Sequence, residues 1–383
     1  MRHSLGFVVP RYGLHVLGGA ETLVRNFAER LVQRGHSVTV MTTCMRTYAD
    51  WVNIDPPGQT TEHGVTVLRA PVRDGWDVPR AAELWRRAAS LSVDEQYEWI
   101  QRLPQSPGLY RHLEAQAANL DVIFFAPYMY STTFYGALVA PEKSVIWPCL
   151  HDEVFAYFHA TRALMTLGKG VVFNTRAEQR LAERLGVQHP RASVVGAGVD
   201  GDERLALQLP PIDGPYIMYA GRLEPSKNYD VLARYFAKYK AEYGGDLKLV
   251  VSGTGVLGSI RHPDIVYLGF LERADMLAAM RHALVFCQPS VNESFSFVIM
   301  EAWLAGAPVL VHRHCAVTYE HVVASQGGLA FGDYQGFASA LNELQAQPEA
   351  RRAMGARGAA YVEREYRWDI VLDRFEQALG LWI

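Results

Sequence analysis

Two acids, Glu293 and Glu301, bracket seven residues in the segment PSVNESFSFVIMEAW, residues 289–303. If all nine residues from one acid to the other were helical, the carboxylates would differ by about 80° in azimuth and roughly 12 Å along the axis. That separation rules out a close catalytic pair. If Glu293 instead precedes the helix, it is free to turn toward a ligand. The backbone N–H groups at the helix start, near Ser294 to Phe297, can then meet phosphate or sugar oxygen, and Glu301 reaches another part of the same extended ligand. A plainer assignment remains open: Glu293 as a helix cap, and Glu301 as a solvated or ion-paired helix residue.

Three further segments carry groups suited to chemistry. AGRLEPSKN places Arg222 and Lys227 in a loop after an apolar run. A guanidinium and an ammonium together neutralise a diphosphate and the charge that develops on a departing nucleotide. A solvated basic surface fits the same composition equally well. GLHVLGGAE sets Gly18 and Gly19 directly before a helical pattern, so backbone N–H groups approach an anion or simply start a helix tightly. Its spacing is not GxGxxG, and Glu21 suits the first helical turn. His151, Asp152 and Glu153 follow another apolar run. They suggest an acid–base cluster or one corner of a metal site, but no third well-spaced ligand follows, so no metal is expected. His151 is then either a donor to sugar oxygen or a structural cap. GxSxG and GxxxxGK[ST] are absent, which removes serine-hydrolase and P-loop readings.

The elements that must position these groups alternate between strand and helix patterns. SLGFVV, SVTVMTT, TEHGVTVLRAP, DVIFFAP, SVIWPCL, GVVFNT and ASVVGAGVD read as strands of a first α/β unit. YIMYAG, LKLVVSG, IVYLGF, HALVFCQPS and APVLVHR read as strands of a second. RLALQLPPIDGP between them reads as a linker. The predicted domains are 1–203 and 204–365, with a C-terminal helix, 366–383, that returns to the first domain through Trp368, Val371, Leu372 and Phe375. A chain of 383 residues supports two cores, and 49 % apolar residues suffice to fill them. The net charge of −3 gives no global pull toward nucleic acid. The four scattered cysteines read as buried thiols of a reducing cytoplasm. No apolar run is long enough for a membrane span, and contact with a membrane surface stays open.

GGAE, HDE, GAGVD, AGRLEPSKN, the E-x7-E segment and YRWDIVLDRFE, in that order, resemble the retaining glycosyltransferases of family 4 over nearly the whole chain. The resemblance implies the GT-B architecture, two facing Rossmann-like α/β domains with a deep interdomain cleft. It implies transfer of a sugar from a UDP- or GDP-sugar to a hydroxyl acceptor, with no cofactor and no metal. Gly18 and Gly19 would approach the donor phosphate, and Arg222 and Lys227 would hold the diphosphate. His151 would contact the transferred sugar. Glu293 would bind sugar hydroxyls, with the backbone at Ser294, Phe295 and Ser296 assisting, and Glu301 would bind the ribose. The acceptor implied is a glycan, a lipid-linked saccharide or a small molecule, in polysaccharide or surface-glycan synthesis. A departure stands at Glu293-Ser294-Phe295-Ser296, where the family commonly has Glu-Gly-Phe-Gly. A glycoside phosphorylase, a nucleotide-sugar epimerase and a non-catalytic sugar- or nucleotide-binding protein are the alternatives.

Overall fold

The computed structural model describes the chain except residues 17, 48–50, 74–77, 202–211 and 256–259. Most of the expected linker, 204–215, lies outside the described residues. Two compact units emerge: Met1–Gly196 together with Leu372–Ile383, and Ala197–Val371.

The first unit runs β1 (Ser4–Val8), α1 (Gly19–Gln33), β2 (Ser37–Thr43), β3 (Gly58–Glu62), β4 (Val65–Ala70), α2 (Val78–Arg86), α3 (Val93–Arg102), α4 (Pro107–Ala117) and β5 (Val122–Phe125). It continues through α5 (Ser131–Ala137), β6 (Ser144–Ile146), α6 (His159–Leu167), β7 (Gly170–Phe173), α7 (Arg176–Arg184) and β8 (Ala192–Val194). The described strands form one eight-stranded sheet in the order β3-β4-β2-β1-β5-β6-β7-β8. Its central strands are buried and mostly apolar, β5 (VIFF) wholly so, as burial on both faces favours. One expectation is corrected. TEHGVTVLRAP is not a single strand: β3 and β4 form an antiparallel hairpin in which Glu62 pairs with Val65. The two turn residues, His63 and Gly64, have φ of 49° and 82°, the positive values that a tight two-residue hairpin turn needs.

The second unit runs β9 (Tyr216–Ala220), α8 (Tyr229–Tyr243), β10 (Lys248–Ser252), β11 (Ile265–Gly269), α9 (Arg273–His282), β12 (Val285–Gln288) and α10 (Phe297–Leu304). It is completed by β13 (Val309–His312), α11 (Ala316–Ser325), β14 (Gly328–Phe331), α12 (Tyr334–Ala346) and α13 (Pro348–Glu365). Its described strands are all parallel, in the order β11-β10-β9-β12-β13-β14. Renumbered within the unit this is 3-2-1-4-5-6, the dinucleotide-binding order, and it reverses direction between β9 and β12. Ligands of such sheets lie beyond the carboxyl ends of the strands at that reversal.

The last helix, α14 (Trp368–Leu379), spans the division between the units. Within the first unit, Phe375 is fully buried and stacks with Phe7 and Trp147 at centroid distances of 6.5 and 6.0 Å. It also meets Phe124 at 5.0 Å and Phe27 at 5.2 Å. Trp382 donates from its indole N–H to the Arg191 carbonyl at 2.9 Å. Among the described residues no helix is long and apolar enough to cross a membrane. All four cysteines are buried with free thiols. Phe375→Ala is expected to cost about 3–5 kcal/mol, read as a lower urea midpoint for loss of the first unit. An unchanged midpoint would show that the aromatic cluster holds without the ring.

Candidate active site

The reversal point of the second sheet collects the basic loop and the acidic loop. After β9 the chain passes Gly221, and after β10 it passes Gly253. These lie so close that a Cβ on Gly253 would sit 1.9 Å from the Gly221 carbonyl oxygen. Gly253 also has φ of 143°, so only glycine suits this crossing. The Tyr219 hydroxyl donates to the Arg222 carbonyl at 2.8 Å, which leaves the Arg222 side chain mostly in solvent, 3.2 Å from Glu224. A short turn, 225–227, carries Lys227. Asn228 follows in the left-handed region, and its Nδ2 donates to the Pro289 carbonyl at 3.2 Å. That bond ties the loop after β9 to the loop after β12.

Lys227 Nζ consequently lies 2.8 Å from Glu293 Oε1, and both side chains are largely buried. Pro289 stops β12 because it has no N–H to offer. Glu293 stands before α10, whose cap is Ser296, so the wholly helical placement of the two acids is excluded. Ser296 adopts φ of 73°, a conformation that favours glycine. Gln288 donates from Nε2 to Glu293 Oε1 and to Ser296 Oγ, each at 3.3 Å. Phe295 is anchored among His321, Tyr366 and Phe297 at centroid distances of 5.7, 5.1 and 5.1 Å. Burial drives His321 down to about 3, so it packs as a neutral ring and accepts or donates with the Tyr361 hydroxyl at 3.0 Å.

Glu301 lies on α10, paired with Arg273 of α9, and Arg273 also donates to the Asp200 carbonyl at 3.0 Å. Burial raises the Glu301 carboxyl above its ordinary value, and Arg273 opposes that rise. The two acids therefore have separate cations, Lys227 and Arg273.

In the first unit, α1 starts at Gly19 with Gly18 as its cap residue. A Cβ on Gly18 would lie 2.2 Å from a Glu21 carboxylate oxygen, whereas one on Gly19 would meet nothing within 4 Å. Leu17 of this loop lies outside the described residues. Glu21 is held by Arg11, whose Nε and Nη2 reach Oε1 at 2.9 and 2.5 Å, and both residues are buried. Arg11 thus fastens the glycine-bearing loop to the first turn of the helix.

His151, Asp152 and Glu153 do not converge. His151 Nδ1 is 3.5 Å from Glu153, which accepts from the Tyr128 hydroxyl at 2.7 Å. Asp152 accepts from Tyr157 and lies 3.3 Å from Arg184. Among the described residues no three His, Cys, Asp or Glu side chains could hold a metal. The loop is set from behind by Glu178, which is buried and accepts N–H from Leu150 at 2.5 Å and from Asn174 at 2.6 Å. Asn174 in turn accepts the Trp147 indole N–H at 2.9 Å. Burial pushes the Glu178 carboxyl up to about 8 against those donors. Sequence reasoning missed Gln288, Glu178, Arg11 and Arg273. An amide closing a central apolar strand was the signal for Gln288. Leu150 and Asn174, by contrast, are far apart in the chain, so spacing could not reveal Glu178.

Two parallel-sheet α/β units, each presenting loops at a strand-order reversal, define the GT-B class of transferases. "Glycosyltransferase Family 4" matches residues 17–203 and "Glycosyl transferases group 1" matches residues 214–347. Together these cover most of the chain, and it belongs to this family of glycosyltransferases. It is 26 % identical over 381 residues to a phosphatidyl-myo-inositol mannosyltransferase of Mycolicibacterium smegmatis, covering 96 % of this chain and 91 % of that one. It is 29 % identical over 394 residues to a GDP-mannose-dependent alpha-mannosyltransferase of the same organism, covering 95 % of each. Among solved structures, Anabaena HepE in complex with UDP and glucose shares the fold, with a TM-score of 0.69, 15 % identity, and coverage of 99 % of this chain and 100 % of that one.

Glu178 supplies a pH test. Its carboxyl is raised from 4.5 to about 8 on folding, so the native state holds a proton that the unfolded chain gives up. The stability this proton gives is complete below 4.5 and disappears as pH climbs through about 8. Wild type is expected to lose stability relative to Glu178→Gln across that window in thermal unfolding. Parallel profiles for the two proteins would contradict the assignment.

Proposed function

We propose that this glycosyltransferase is a retaining, metal-independent enzyme that moves a sugar from a UDP- or GDP-sugar to a hydroxyl acceptor in glycolipid, polysaccharide or surface-glycan assembly. The observation that carries this reading is the Lys227–Glu293 pair, 2.8 Å apart at the strand-order reversal of the second unit. A cation and an acid held together there can address the two ends of one bond: the diphosphate that leaves and the sugar that moves. The names of the mannosyltransferase relatives support a nucleotide-sugar donor and a lipid acceptor.

In this reading Arg222, exposed beside Glu224, joins Lys227 on the diphosphate. The backbone at Ser294, Phe295 and Ser296 meets phosphate and sugar oxygen at the start of α10. Glu301 holds the ribose hydroxyls through the oxygen that Arg273 leaves. In the first unit, His151 contacts the transferred sugar, and Gly18 and Gly19 bring backbone to the donor phosphate. The bond from the anomeric carbon to the phosphate oxygen breaks as the acceptor oxygen bonds to the same face of that carbon. The acceptor proton passes to the departing phosphate. In this same-face reading Glu293 binds and orients the sugar and is not the nucleophile.

A panel of UDP- and GDP-sugars, scored by donor hydrolysis and then by transfer with the best donor, tests the assignment. Lys227→Ala and Glu293→Ala are each expected to lower the rate about 10²–10³-fold in protein that still unfolds cooperatively, at a melting temperature below wild type because the partner left behind is a partly buried charge. Near-normal rates in both folded variants would sink it. A sugar covalently trapped on Glu293 in intact-protein mass spectra during turnover would replace the same-face mechanism with double displacement.

A further inference from the structure

Gln288 closes β12, a central strand, and only 3 % of it is exposed. Its strand neighbours Val285, Phe286 and Cys287 are all buried, and none carries an amide. Burying an amide costs about 1–3 kcal/mol unless hydrogen bonds offset it. The Gln288 nitrogen has two hydrogens, and the carboxylate of Glu293 and the hydroxyl of Ser296 each lie 3.3 Å away to receive one. Its Oε1 is buried without a partner among the described residues. The side chain is therefore used on its donor side alone, and both donors go to the loop that carries the acid.

The two recipients share a constraint. Ser296 sits at φ of 73°, which costs a residue with a Cβ about 1–2 kcal/mol. A bond to its hydroxyl helps hold it there. Glu293 receives Lys227 and Gln288 on the same oxygen, Oε1. The two donors, one at the end of β12 and one in the turn before α8, hold Oε1, and among the described residues Oε2 has no hydrogen-bond partner. We propose that Gln288 is a positioning residue for Glu293, which fixes the carboxylate directly and, through the Ser296 hydroxyl, the turn that carries it, so that Oε2 is presented to the transferred sugar. This rests on Glu293 being the sugar-binding acid, and it gives the paired serines of Glu-Ser-Phe-Ser a purpose: the second hydroxyl is what the amide grips.

The test uses the full chain with the UDP- or GDP-sugar of the donor panel that the wild type hydrolyses fastest. Gln288→Leu and Gln288→Met replace the amide by apolar groups of similar shape, so the fold is expected to survive. Both variants are expected to lose about ten- to a hundredfold in kcat, while Kd for free GDP or UDP stays within about twofold, because Lys227, Arg222 and Glu301 hold the nucleotide in this reading and none of them bonds to Gln288. In a Glu293→Gln background, Gln288→Leu is expected to change kcat no further, since it acts through the acid. Wild-type kcat in Gln288→Leu beside a slow Glu293→Gln would overturn this inference alone. So would losses that simply add in the double variant, or melting temperatures more than about 10 °C lower in both apolar variants. A wild type that hydrolyses no UDP- or GDP-sugar of the panel, or a Glu293→Gln variant as fast as wild type, would overturn the functional reading and this inference with it.

Discussion

The ion pair between Lys227 and Glu293 joins two loops that the chain separates by more than sixty residues. Neither partner could be aimed without the parallel sheet beneath it. β9 and β12 lie side by side, so their carboxyl ends deliver the basic and acidic loops to one place. The Asn228 amide on the Pro289 carbonyl then locks the loops to each other by a backbone contact that does not depend on charge. An ion pair this sheltered loses less to solvent screening than a surface pair, yet each partner left alone would be a partly buried charge. The two residues are thus mutually required.

The two units solve a common problem in different ways. Each must hold a polar loop beyond the end of an apolar strand. In the second unit Lys227, Gln288 and Asn228 converge on the loop from side chains at the strand ends. In the first, Glu178 reaches from α7 to capture backbone N–H groups of Leu150 and Asn174, and Arg11 grips Glu21 across the glycines. A buried carboxyl group that collects backbone donors fixes chain direction without presenting a charge to a ligand, which leaves His151 and the α1 start as the groups there that a ligand could meet.

Much of the architecture was legible because buried parallel strands are nearly continuous apolar runs. YIMYA and VFCQ announce themselves, and the loops after them follow. The placement of Glu293 before its helix was left open by spacing and is settled by the left-handed Ser296, a conformation that composition does not disclose. The β3–β4 hairpin escaped because His63-Gly64 is not the usual Asn-Gly turn pair and β3 is polar, exposed edge strand with no apolar alternation to read. Arg273 and Glu178 escaped for another reason. Each acts on groups distant in sequence, and only the folded sheet brings donor and acceptor together.

The aromatic cluster of the first unit sets an order of events. Phe7, Phe27, Phe124 and Trp147 belong to the early part of the chain, yet the ring that packs among them is Phe375. On the ribosome, the first unit can form its strands but must wait, with that cluster open, until Leu372–Ile383 has been made. The second unit, contiguous from Ala197 to Val371, can finish beforehand. The part synthesised first is therefore the part completed last, and until then its exposed aromatic face is the surface a chaperone would have to shield.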